Sequence, residues 1–170
     1  RNEGLPWSEE LIEKYEHKWA WSGPVKVYEW GLGKAYDKPG IGGNEAIPWA
    51  RHLLEEWGNR LSWEDLSRNR ALPWSEELLK CYESEWDWDR LSRNGALPWT
   101  ERLIKRNEEE WNWQEGFTLG MTEELPWSLS LITHYSEKWN WRHLRSNRGV
   151  YEKAFADHIT PDMIQQVLGP

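Results

Sequence analysis

The residues able to do chemistry in this chain are five histidines, one cysteine and many acids. His17, His52, His134, His143 and His158 never fall at metal-ligand spacing with Cys81 or with one another. Asp87 and Asp89 flank Trp88 like a catalytic or calcium-binding pair, but the equivalent positions elsewhere hold helix-capping residues. The acid runs Glu9-Glu10, Glu55-Glu56 and Glu76-Glu77 sit where first-turn or exposed-face carboxylates belong. Cys81 stands in a polar column with Lys14, Glu56, Arg106 and His134, with no motif placing a histidine beside it. No catalytic constellation emerges. The expectation is a non-enzymatic chain with no cofactor and no metal.

The other chemically distinct stretch is residues 22–43, SGPVKVYEWGLGKAYDKPGIGG. Val25, Val27, Tyr28, Trp30 and Tyr36 favour strands, and the surrounding glycines favour turns, so a small β-hairpin is expected. Gly31-Leu32-Gly33 lacks the continuation of a phosphate loop. Lys26, Tyr28, Trp30, Lys34 and Tyr36 put aromatic and cationic groups on one loop of an acidic protein of net charge −8. That composition suits a binding hot spot, and these five are the candidate binding residues.

The frame that must position this loop is a repeat. Pro-Trp recurs at Pro6, Pro48, Pro73, Pro98 and Pro126, spaced 42, 25, 25 and 28 residues apart. The period is therefore 25, with 17 and 3 additional residues in two copies. Aliphatic pairs follow each anchor Trp: Leu11-Ile12, Leu53-Leu54, Leu78-Leu79, Leu103-Ile104 and Leu131-Ile132. Tyr15, Trp57, Tyr82, Asn107 and Tyr135 come eight residues after the anchor, and Trp19, Leu61, Trp86, Trp111 and Trp139 come twelve after. Those offsets share one face of an amphipathic helix of about three turns. Ser8, Ser75, Thr100 and Ser128 are N-caps at its start, and Ala50 is the exception.

A shorter helix begins between paired tryptophans, at Ser62, Asp87, Asn112 and Asn140. It is expected to end at an Asn, such as Asn94, in the left-handed conformation. Asn2, Asn44, Asn69, Asn94 and Asn147 should occupy equivalent corners and bond to backbone. The fourth repeat departs from the pattern, and Phe117 is expected to replace its missing Leu.

The predicted fold is all-α: a solenoid-like stack of helix pairs of period 25, with the hairpin as its one insertion. A single domain spans 1–170, with repeats 2–21, 44–68, 69–93, 94–121 and 122–147, the insertion 22–43 and a C-terminal cap 148–170. The cap should contain a helix over 161–168. Mean hydropathy is −0.92, a value that leans toward disorder, but 15 of the 16 tryptophans stand at fixed repeat phase, all but Trp30, and argue for a packed core. Trp7, Trp19, Trp74, Trp86, Trp88, Trp99, Trp111, Trp113, Trp127, Trp139 and Trp141 are expected to be largely buried.

Residues 1–4 match 68–71 in repeat phase. The chain is thus expected to be a fragment of a longer array or to begin with a self-capping repeat. No basic stripe points to nucleic acid, and no apolar run approaches the ~20 residues of a membrane span. One cysteine fits a reducing, cytoplasmic location.

Trp86-Asp87-Trp88-x-x-Leu91-Ser92-x-Asn94 resembles the Trp-Asp-Trp-x-x-Leu-Ser-x-Asn repeat arrays of large DNA viruses and some bacteria. The resemblance implies a helical repeat scaffold and brings no functional residue with it. The expected function is a protein-interaction scaffold with recognition at 22–43 and a protein as partner. The alternatives are a glycan-binding module and the repeat region of a larger enzyme.

Overall fold

The computed structural model describes residues 5–22, 25–28, 35–38 and 40–158. The described chain is helical apart from one two-stranded hairpin, and it forms two compact units, Arg1–Leu97 and Pro98–Pro170. The first unit holds α1 (Glu9–Lys14), β1 (Val25–Tyr28), β2 (Ala35–Lys38), α2 (Arg51–Trp57), α3 (Trp63–Arg68), α4 (Glu76–Cys81) and α5 (Trp88–Leu91). The second holds α6 (Glu101–Arg106), α7 (Leu129–His134), α8 (Trp141–Leu144) and α9 (Arg148–Val150), followed by a π-helical turn, Tyr151–Phe155. The helix expected over 161–168 lies outside the described residues.

The helix starts follow the capping residues. Ser8, Ser75, Thr100 and Ser128 each accept the N–H three residues on, at 3.0–3.2 Å. Ser62, Asp87, Asn140 and Asn147 do the same for the shorter helices. Each cap satisfies one of the donors that a helix N-terminus leaves open.

The first helix of each repeat is shorter than the apolar offsets suggest. Six residues are helical in α1, α4, α6 and α7, against an expectation of about three turns. The cause is the tryptophan twelve residues after the anchor. The indoles of Trp19, Trp86, Trp111 and Trp139 donate to the carbonyls of Ile12, Leu79, Ile104 and Ile132, at 2.8–3.2 Å. Each carbonyl lies where a longer helix would need it as an acceptor. Repeat two has Leu61 in that position, with no indole, and α2 runs one residue longer, to seven.

Seven further tryptophans also act as donors. The anchor indoles of Trp49, Trp74 and Trp127 donate to the carbonyls of Asn44, Asn69 and Thr122. The second indoles of the pairs, on Trp21, Trp88, Trp113 and Trp141, donate to carbonyls five residues earlier. The anchor ring also packs on the first ring of its own pair, as in Trp74–Trp86 and Trp127–Trp139, at 5.0 and 5.1 Å between centroids.

The core consists of the aliphatic pairs, the Leu or Ile two residues before the anchor Trp, and many of the rings, except that in repeat one Leu5 is exposed and Leu11 half-buried. Trp86, Trp111, Trp113, Trp127 and Trp139 are buried as expected, and Trp7, Trp19, Trp74, Trp88 and Trp99 are half-buried. Trp141 is a correction, being 55% exposed.

Two further expectations are corrected. No described residue other than glycine has positive φ, so Asn94 does not end its helix through the left-handed region. The corner asparagines work through their side chains instead. Asn69 Nδ2 donates to the carbonyls of Gly42 and Asn44, Asn94 Nδ2 to those of Ser67 and Asn69, and Asn147 Nδ2 to those of Gly120 and Thr122. Asn2 lies outside the described residues, and Asn44 accepts the Ala46 N–H. The second correction is Phe117, which is 60% exposed while Leu119 is fully buried in the leucine position.

Candidate functional site

The loop that carries the candidate binding residues begins beside one repeat and returns against the next. Lys26 and Tyr28 lie on β1 and Tyr36 on β2, whereas Trp30 and Lys34 lie outside the described residues. The strands are antiparallel, pairing Lys26 with Asp37, Val27 with Tyr36 and Tyr28 with Ala35. Tyr36 thus falls in the alternate register to Lys26 and Tyr28.

The return of the loop is built from residues 40–43. Ile41 N–H donates to the Ala20 carbonyl at 2.8 Å, 21 positions earlier in sequence. In the uninterrupted repeats the equivalent bonds span four residues: Leu66 to Ser62, Leu91 to Asp87 and Leu144 to Asn140. Residues 40–44 therefore occupy the places of 65–69 one repeat later, and the additional chain is 23–39. Ile41 is buried like Leu66, Leu91 and Leu144.

The fourth repeat makes the same detour on a smaller scale. Leu119 N–H reaches the Asn112 carbonyl at 2.7 Å, across seven residues. The additional residues are Glu115, Gly116 and Phe117. Gly116 has φ +62°, a conformation that favours glycine, and the Asn112 side chain bonds both N–H and C=O of Glu115. Both interruptions enter at one point of the repeat, just after the residue that follows the second Trp, and both preserve the helical hydrogen bond around them.

Each return is gripped by the following repeat. Asp65 is buried, its Oδ2 accepts the Gly40 N–H at 2.7 Å, and its other oxygen is paired with Arg68. In the fourth repeat Thr118 Oγ1 hydrogen-bonds His143 Nδ1 at 2.9 Å. Gly40 and Thr118 are equivalent, as are Asp65 and His143. The sequence reading missed these locks. The available signal was an acid at 65 in a column that otherwise holds Gly40, Arg90, Thr118 and His143.

Charge is organised between neighbouring repeats. Arg90 Nη2 donates to Glu64 at 2.8 Å, which holds the Glu64 carboxyl below its ordinary value and raises the guanidinium. Lys138 bonds Glu108 and Glu109, and these bonds raise its pKa. Burial pushes Tyr82 and Tyr135 up. Cys81 is exposed, with Arg51 Nη2 at 3.5 Å from its sulfur.

Among the described residues one acidic group, Glu9, Glu13 and Glu56, converges closely enough to share a cation; all three are surface carboxylates. A second feature is a largely apolar cleft of about 310 Å³ in the second unit, lined by Ile132, Trp141, Leu144, Val150, Tyr151 and Phe155, with Arg145 as its one charged residue. No described helix is long and apolar enough to cross a membrane. No family model, curated protein or solved structure matches the chain.

Proposed function

We propose that this chain is a non-enzymatic protein-interaction scaffold, a solenoid-like stack of 25-residue Trp-rich repeats that displays a recognition loop at 22–43. The scaffold belongs, in this reading, with the Trp-Asp-Trp repeat arrays that it resembles, and its partner is a protein. The observation that supports the reading is the hydrogen bond kept across each interruption. A repeat that holds its Ile41–Ala20 or Leu119–Asn112 bond while the chain detours can carry loops of different length without losing its core. Asparagine bonds to carbonyls 25 and 27 residues earlier support a regular stacking of neighbours within each unit.

The test is deletion of residues 23–39, which joins Ser22 to Gly40 as Glu64 joins Asp65. The expected outcome is a folded protein of similar thermal stability, since loop-closure entropy varies slowly with length. Capture of a protein partner by the intact chain is expected to disappear in the deletion variant. Capture at unchanged affinity would remove the loop from the reading. Selective binding of the intact chain on a glycan array would replace the protein partner by a sugar.

A further inference from the structure

Repeat five is followed by α9 and the π-helical turn, Tyr151–Phe155, rather than by another Pro-Trp anchor. The cleft of about 310 Å³ is lined by repeat five and by this turn. Its floor is the buried Ile132, Leu144 and Val150. Its walls are aromatic. Trp141 is 55% exposed and Tyr151 49%, and the Phe155 ring stands 6.3 Å from that of Tyr151. A π-helical turn is rare and recurs at functional sites.

The polar atoms of these walls are already spent. The Trp141 indole donates to the Ser136 carbonyl at 3.1 Å, and the Tyr151 hydroxyl donates to the Arg145 carbonyl at 3.0 Å. Glu152, the acid of the π-helical turn, is paired with Arg148. What is left is the Arg145 guanidinium. Arg145 N–H donates to the Trp141 carbonyl at 3.2 Å, so the two side chains stand one turn apart on one face. The Arg145 side chain is exposed, lines the cleft and makes no hydrogen bond or ion pair among the described residues.

Small-molecule sites typically run from about 300 to 1,000 Å³, and this cleft lies at the lower end of that range. A cavity of that size, apolar apart from one cation, selects a small apolar anion. Three ring walls favour a flat ring over an alkyl chain. A guanidinium matches a carboxylate through two parallel N–H bonds.

We propose that this cleft is a binding site for a small aromatic carboxylate, its ring against Trp141, Tyr151 and Phe155 and its carboxylate on Arg145. The site belongs to the second unit. It does not rest on the role proposed for the 22–43 loop, which lies in the first.

The experiment is a ligand-observed NMR titration of the full chain with naphthoate, its neutral amide and the saturated decahydronaphthoate. Naphthoate is expected to bind with a dissociation constant on the order of 0.1 mM. The amide and the saturated acid should each bind at least about tenfold more weakly. Arg145→Gln, at an exposed position, should leave thermal unfolding unchanged and weaken naphthoate at least about tenfold. It should leave the amide as it was, so that the variant no longer tells acid from amide. Trp141→Leu should weaken acid and amide alike; should that variant unfold, the Arg145 variant and the ligand series decide alone. No binding of naphthoate up to millimolar concentration overturns the proposal. So does an amide or a saturated acid that binds as tightly, or an Arg145→Gln protein that keeps full affinity for the acid.

Discussion

At the scale of single residues, buried amides do work that the tryptophans alone would suggest belongs to apolar packing. Asn94 is buried, donates to the carbonyls of Ser67 and Asn69 and accepts the Ala96 N–H. Alanine there would strand the Ser67 carbonyl in a buried site, whereas the Asn69 carbonyl would keep the Trp74 indole N–H. Asn94→Ala is therefore expected to lower unfolding stability by about 1–3 kcal/mol, read from chemical denaturation. Asn59→Ala, at an exposed turn, should change it little. The recurrence of asparagine was legible in the sequence, and so was its bonding to backbone. Its backbone conformation was not. Asparagine tolerates positive φ, but a side chain that already spans two carbonyls fixes the corner with ordinary φ, as Asn69 does at −71°.

Among the elements, α3 and α5 are tied by Arg90 and Glu64. The folded carboxyl titrates below its ordinary 4.5, because the charged form is the one that Arg90 bonds. Its contribution to stability is thus complete above that ordinary value and is lost as pH falls through the depressed folded value. Glu64→Gln should flatten this part of the acid limb in a pH series of unfolding midpoints, and added salt should shrink the difference between the two proteins. The helix starts were readable because a cap is a local event, decided by a hydroxyl or carboxylate three residues from its donor. The helix ends were hidden because they depend on where an indole seven residues downstream finds its acceptor. Leu61 shows the point by its exception: without the indole, α2 gains a residue.

For the whole chain, five helix starts were visible from five Pro-Trp pairs, and the hairpin from its strand-forming residues. The limits of the interruption were not. Composition marks 22–43 as foreign, but hydrogen bonding returns residues 40–43 to the repeat, because Ile41 fills a leucine site and Gly42 supplies a carbonyl to Asn69. Phe117 misled for the related reason that apolarity alone does not choose a position. Leu119 lies in phase once three residues are set aside, and Phe117 lies among those three. The exposure of Trp141 was equally hidden, since burial of a repeat position is conferred by the neighbour that covers it.

The tilted indole pairs have an optical consequence. Four anchor rings face their own paired ring at 5.0–5.4 Å, with planes inclined by 49–53°. Transition dipoles this close, held at a fixed and non-parallel angle, couple as excitons and split the indole absorption into bands of opposite rotatory strength. The far-ultraviolet dichroism of this protein should therefore carry a tryptophan couplet on top of the helical signal, and helix content taken from that region will be wrong. The couplet should fade in proportion as Trp7, Trp74, Trp99 and Trp127 are changed to Leu one at a time. A spectrum unaltered by all four would mean that the rings do not hold these angles in solution.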